Sequence, residues 1–154
     1  LVPHRRPAPD MAPTDAKASC LYPNGARAAA WAAERGFENA VLCDALGNVA
    51  EFASANLMFA KDGVVVTPAI NGTFLNGITR QRVLMLLREA GVPVEERRVT
   101  PEELETADEI FSTGNYAKVL PCTNYNGRAM QPGPMALKAR ATYFEWAEAN
   151  WRIL

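Results

Sequence analysis

The sequence has one histidine, His4, and three cysteines, Cys20, Cys43 and Cys122, set far apart among small or apolar neighbours. So few and so odd a set suits neither a disulfide framework nor a zinc site, so no metal is expected and the thiols should be reduced, as in a cytoplasmic protein. An excess of one charge is missing as well. Sixteen Lys and Arg stand against 17 Asp and Glu, for a net charge of -1 and a pI near 5.9, and no basic stripe offers itself to nucleic acid. No apolar run approaches the roughly 18 residues of a membrane span. The opening Leu1-Val2-Pro3-His4-Arg5-Arg6-Pro7 has neither the apolar core of a signal peptide nor an initiator Met, so the sequence is expected to be part of a longer product. Nucleic acid and membrane are set aside as partners.

The 154 residues, 49% of them hydrophobic, suffice for one domain with a proper core. Pro3, Pro7, Pro9 and Pro13 bar helix from residues 1–16, so the first helix is expected from about Tyr22, alanine-rich and ended by Gly36. Strands are expected at 40–43 and 49–52 around Leu46-Gly47-Asn48, then at 56–60 and 64–67 around Asp62-Gly63, a strong two-residue hairpin signal. Val83, Leu84, Leu86, Leu87 and Ala90 recur at helical spacing, with Gly91 where a left-handed residue ends a helix. A strand over 92–99 and a capping box in Thr100-Pro101-Glu102-Glu103 follow. Strands at 110–111 and 118–122 are joined through the loop Ser112 to Tyr116, and Asn126-Gly127 makes a tight turn. A last helix from about Met135 carries Leu137, Ala141, Phe144 and Trp151 on one face. Strands and helices mix without regular alternation, which predicts an α+β fold.

The chemistry-bearing candidates are Lys17, Tyr22, Glu51, the loop Ser112 to Tyr116 and the stretch from Asn71 to Arg80. In the last, Gly77 precedes a helix whose first turn holds Ile78 and Thr79, so unpaired N–H groups and a hydroxyl converge at the positive end of a helix dipole. An anion would bind there, although an ordinary helix start reads the same way. Lysine is scarce, with only Lys17, Lys61, Lys118 and Lys138, and Lys17 lies among Ala16, Ala18, Ser19 and Cys20. On residue type alone a lysine beside a loop is a solvated group, Glu51 points outward from its strand, and Tyr22 packs with its hydroxyl at the surface.

The spacing of these groups resembles the class IV pyridoxal-phosphate aminotransferases. The resemblance runs through Ala16-Lys17-Ala18-Ser19 with Tyr22, Gly47-Asn48-Val49-Ala50-Glu51 with Asn56-Leu57, and Lys61-Asp62-Gly63 with Thr67-Pro68. It continues through Leu75-Asn76-Gly77-Ile78-Thr79-Arg80 and Ala107-Asp108-Glu109-Ile110-Phe111 with Gly114 and Pro121, covering residues 14 to about 134. It implies the large, C-terminal domain of the D-amino acid aminotransferase-like fold, with mostly antiparallel strands and flanking helices. It implies pyridoxal 5'-phosphate as cofactor, with Lys17 as the Schiff-base lysine that also moves the substrate proton, and Glu51 facing the pyridine nitrogen. Tyr22 would lie near the phenolic oxygen, Gly77, Ile78 and Thr79 would cradle the phosphate, and Asn115 would stand where a threonine often touches it. A glutamate common after the pyridine carboxylate is replaced by Ala55. The bacterial branched-chain subgroup is most similar, which implies amino-group transfer between a small apolar amino acid and a 2-oxo acid in a homodimer. The resemblance takes in none of the family's small N-terminal domain, so residues 1–154 are expected to be the cofactor-binding domain alone. A non-catalytic fragment without cofactor and a lyase of the aminodeoxychorismate type remain alternatives.

Overall fold

The computed structural model describes residues 1–151 and builds four layers around strand alternation. A single turn of 3-10 helix, Ser19–Leu21, leads into α1 (Tyr22–Ala33), with Pro23 in its first turn, where a missing N–H costs nothing. The hairpin of β1 (Val41–Cys43) and β2 (Val49–Phe52) lies beside α1. Next come β3 (Asn56–Lys61) and β4 (Val64–Pro68), α2 (Ile78–Glu89), β5 (Val94–Arg97) and the short α3 (Pro101–Glu105). The chain continues through β6 (Glu109–Gly114), β7 (Lys118–Pro121), the small hairpin β8 (Asn124–Tyr125) and β9 (Arg128–Ala129), and α4 (Pro134–Asn150). The main sheet has the order β5-β4-β3-β6-β7. All its pairs are antiparallel except β4 with β5, which run parallel because α2 crosses between them.

The period of two decides the layering. Met58, Ala60, Val65 and Phe111 meet Val83, Leu84 and Leu87 of α2 and Ala136 and Ala139 of α4 on one face of the main sheet. Leu57, Phe59, Val66 and Ile110 face the other way, onto Val41, Cys43, Val49 and Phe52 of the β1–β2 hairpin and onto Leu104 and Tyr125. Leu42 points through the hairpin to Ala28 and Ala32, whose small side chains let α1 lie close. Each buried leucine or valine of α2 contributes about 1.5 to 3 kcal/mol, so packing rather than propensity holds the helix that carries the anion-binding candidate.

The expected hairpin turns form. Asp62-Gly63 and Asn126-Gly127 both take positive φ at each residue, and Gly91 ends α2 at φ 73°. Glu103 accepts from the Thr100 N–H at 2.8 Å, one half of the expected capping box. Four expectations change. The strand over 92–99 shortens to β5, because Pro93 has no N–H to give and Glu95 to Arg97 form a charged edge. The loop Ser112 to Tyr116 begins later, since β6 keeps its pairing with β3 and β7 through Thr113. The face of α4 carrying Leu137, Ala141, Phe144 and Trp151 is the exposed one; Ala136 and Ala139 are buried instead. Along α4 the fully buried contacts with the sheet are made by Ala136 and Ala139, with Met135 and Tyr143 packed beside them. At its start the buried Glu109 accepts from the N–H groups of Met135 and Ala136 at 3.0 and 2.8 Å, and a Cβ on Gly133 would collide with it. The fourth change concerns Glu51 and is part of the site.

Candidate active site

A fault in strand pairing aims Glu51. Val41 pairs with Phe52 and Leu42 with Glu51, but Cys43 pairs with Val49, so Ala50 is an extra residue in β2. The bulge puts Glu51 on the face of its partner Leu42, away from the core that Val49 and Phe52 enter. Glu51 is therefore mostly enclosed, at 13% exposure, and paired: its Oε1 lies 3.4 Å from the buried Arg6 Nε. The outward carboxylate expected from strand chemistry alone is corrected here. Burial pushes the Glu51 carboxyl up to about 7, against the downward pull of Arg6.

Two side chains tie Glu51 to the start of α2. Arg6 Nε donates to Thr73 O at 2.9 Å. Asn56 Nδ2 donates to Glu51 Oε2 at 3.3 Å and to Leu75 O at 2.8 Å, while Asn56 Oδ1 accepts from the Gly77 N–H at 3.2 Å. Gly77 is the N-cap of α2, and a Cβ there would collide with Asn56 Oδ1, so glycine is required by the contact rather than by φ, which is -60°. Beyond it the amides of Ile78 and Thr79 and the Thr79 hydroxyl donate to nothing among the described residues. Ile78 is 87% exposed, so the helix start is open. Arg80 anchors the same turn from beneath. Only 1% exposed, it donates to Asn76 Oδ1, Pro68 O and Glu96 Oε2 at 2.9, 3.0 and 2.9 Å.

The remaining candidates flank this network without touching it. Lys17 is exposed in the turn before the 3-10 helix and makes no hydrogen bond or ion pair among the described residues. The other three lysines are engaged: Lys61 with Asp108, Lys118 with Asn115 Oδ1 and Lys138 with Ala90 O. The segment that carries Lys17 is fastened to the loop ahead of α2 where the Thr14 hydroxyl donates to Gly72 O. Tyr22 opens α1 at 58% exposure. Asn115 lies in the turn after β6, two residues beyond Thr113, the strand partner of Asn56. A cavity of about 490 Å³ lies elsewhere, lined by Trp31, Phe37, Phe52, Leu120 and Tyr125 among others, and of the candidate residues it includes only Ser112. The candidate site is an open bay rather than an enclosed hollow, which is why cavity and chemistry part company.

The chain that builds this bay is similar to known proteins. Residues 1–125 match the family described as Amino-transferase class IV. The chain belongs to that family. Class IV aminotransferases use pyridoxal phosphate, and a branched-chain-amino-acid aminotransferase of Pseudomonas aeruginosa is 38% identical over 150 residues, covering 92% of this chain and 48% of that protein. Among solved structures, an aminotransferase from Brucella abortus bound to the co-factor PLP superposes with a TM-score of 0.94 at 52% identity, covering 96% of this chain and 52% of that one. A branched-chain aminotransferase from the archaeon Thermoproteus uzoniensis, with norvaline, gives 0.91 at 36% identity, covering 94% of this chain and 49% of its own. The chain thus spans about half the length of the relatives it matches.

The donor set of this class IV chain fits the cofactor. Unengaged amides and a hydroxyl at a helix start suit a phosphate, and a carboxylate held in a dry setting suits a ring nitrogen that is to stay protonated. Sequence reasoning gave Arg6, Asn56 and Arg80 no role, although Asn56 and Arg80 stand among the residues that carry the family resemblance. Two of them had a signal: Asn56 opens an otherwise apolar strand, and Arg80 lies in line with Val83, Leu84 and Leu87 on the buried stripe of α2. Arg6, in a proline-rich lead-in without periodicity, had none. All three cysteines are free, and burial pushes the thiols of Cys43 and Cys122 up. Among the described residues no group of side chains could hold a metal ion, and no helix is long and apolar enough to cross a membrane.

Proposed function

We propose that this chain supplies the cofactor-binding part of an enzyme that moves an amino group between a small apolar, branched-chain amino acid and a 2-oxo acid. The observation that carries the reading is the linked pair of ends, the enclosed Glu51 and the free amides of Ile78 and Thr79, joined through Asn56. Pyridoxal phosphate, when bound, supplies an aldehyde that captures amines and a ring that draws electrons from the substrate carbon. The chain's own groups do the rest. Ile78 and Thr79 hold the phosphate with backbone N–H groups and a hydroxyl. Glu51 keeps a proton on the ring nitrogen, and Tyr22 offers its hydroxyl to the ring's oxygen. Lys17 is the attachment point and afterwards the base that carries a proton from the substrate carbon; it is the one lysine with no competing partner among the described residues. Asn115 adds a polar group at the phosphate end.

Exposure of Lys17, Tyr22 and Ile78 supports a site completed by chain outside these residues, in keeping with the half-length match to relatives. Residues 1–154 form, in this reading, the large domain of a homodimeric enzyme. The norvaline of the Thermoproteus uzoniensis structure and the name of the Pseudomonas aeruginosa relative support a small apolar amino acid as substrate. An absorbance titration with pyridoxal phosphate is the test. A new band near the visible edge that shifts when a branched-chain amino acid is added supports the reading, and a spectrum equal to that of free cofactor with protein defeats it.

A further inference from the structure

We infer that Asn56 is a positioning residue that sets the distance between the ring end and the phosphate end of the site, so that the two ends bind one ligand as a unit. The inference rests on the cofactor reading above. Asn56 is buried at the first position of β3, paired with Thr113 of β6, and three of its bonds leave for three different places: Glu51 in β2, Leu75 O in the loop, and the Gly77 N–H at the head of α2. Only a carboxamide can do this at that length. It must give two N–H groups and accept one, whereas a carboxylate gives none and an alkyl side chain does neither. The partners also fix which way the amide faces, since turning it over would set its oxygen against a carboxylate and a carbonyl.

The geometry leaves Asn56 no slack. The close approach to Gly77 excludes a Cβ there, and a Cβ on Gly114, at the far end of β6, would stand 3.2 Å from the Cβ of Ala55, the residue before Asn56. Arg6 makes a second bridge, from Glu51 to Thr73 O, four residues before the N-cap. The loop from Thr73 to Gly77 is therefore fastened to the Glu51 side at both ends, and a shift of the carboxylate is passed to the amides of Ile78 and Thr79. The consequence is energetic coupling between contacts that lie at opposite ends of a bound cofactor.

The test is a set of pyridoxal phosphate dissociation constants, read by absorbance titration. They are measured for the protein, Glu51→Gln, Thr79→Ala and the double variant, and again for all four carrying Asn56→Ala. With Asn56 in place, the loss in the double variant is expected to depart from the product of the two single losses by about three- to ten-fold. With Asn56→Ala the departure should shrink toward simple multiplication, leaving only what the Arg6 bridge carries. The same departure in both sets, or none in either, overturns the inference. A merely structural asparagine would lower the melting temperature and leave the coupling intact. Should Asn56→Ala fail to fold, Asn56→Asp serves in its place, because it keeps an acceptor for Gly77 but loses the donors to Glu51 and Leu75 O. Failure of the cofactor reading looks different: neither Glu51→Gln nor Thr79→Ala would then change the dissociation constant, and the assignment of Asn56 would fall with it.

Discussion

Replacing Glu51 by glutamine should change how the protein's stability depends on pH more than it changes stability itself. The carboxyl is raised from 4.5 to about 7 by burial, with Arg6 the charged group facing it. A raised carboxyl holds its proton more tightly in the folded than in the unfolded chain. Its favourable contribution is therefore complete below about pH 4.5, falls as pH rises, and is gone above about pH 7. The gap between those values corresponds to about 3 kcal/mol, lost at no more than about 1.4 kcal/mol for each step in pH. Glu51→Gln cannot titrate. Its amide stays neutral opposite Arg6 throughout that range, so this position adds no slope to the variant's own stability curve. Urea unfolding of both proteins at several pH values shows the difference: the wild type should lose stability across the window relative to a flatter variant. Parallel curves would refute the enclosed setting of Glu51. Repeating the series with pyridoxal phosphate tests the ring contact, because a cationic nitrogen beside Glu51 pulls the carboxyl back down and should shrink the wild-type loss. A loss of unchanged size would place the ring nitrogen elsewhere.

Three further outcomes are expected. Borohydride reduction of the protein with pyridoxal phosphate, followed by peptide mapping, should label Lys17; a label on Lys61, Lys118 or Lys138 would refute the assignment. Inorganic phosphate should shift the amide NMR signals of Ile78 and Thr79, and Thr79→Ala should weaken that binding, since a lost hydrogen bond to a charged group costs about 1.5 to 3 kcal/mol; unmoved signals would show that the helix start takes no anion. Arg80→Met should destabilise the fold by about 1.5 to 3 kcal/mol in denaturant unfolding, because Pro68 O and Asn76 Oδ1 lose their donor and Glu96, a third exposed, keeps only Arg88; a change below about 1 kcal/mol would mean that these bonds are replaced by water.

The sequence by itself determined the elements and their turns. Asp62-Gly63, Asn126-Gly127 and Gly91 are local demands on φ, and helical or alternating apolar spacing is a local periodicity, so each can be read from a few neighbouring residues. The order of the stretches around Lys17, Glu51, Gly77 and Thr79 along the chain did the same for the family, because a resemblance in order and interval is read in one dimension. What tertiary structure alone decided is which way those side chains face and what they meet. The solvent-facing side of α4 could not be told from its buried side while the sheet beneath was unknown, since Leu137, Phe144 and Trp151 are the larger apolar groups and yet Ala136 and Ala139 are the residues buried against the sheet. Glu51 is turned inward by a one-residue slip against β1, and a slip of register is a property of two strands, not of either sequence. Arg6 and Asn56 meet it from segments 45 and five residues away, so the network that joins carboxylate to helix start exists only once long-range pairing has brought β2, β3 and the loop before α2 together.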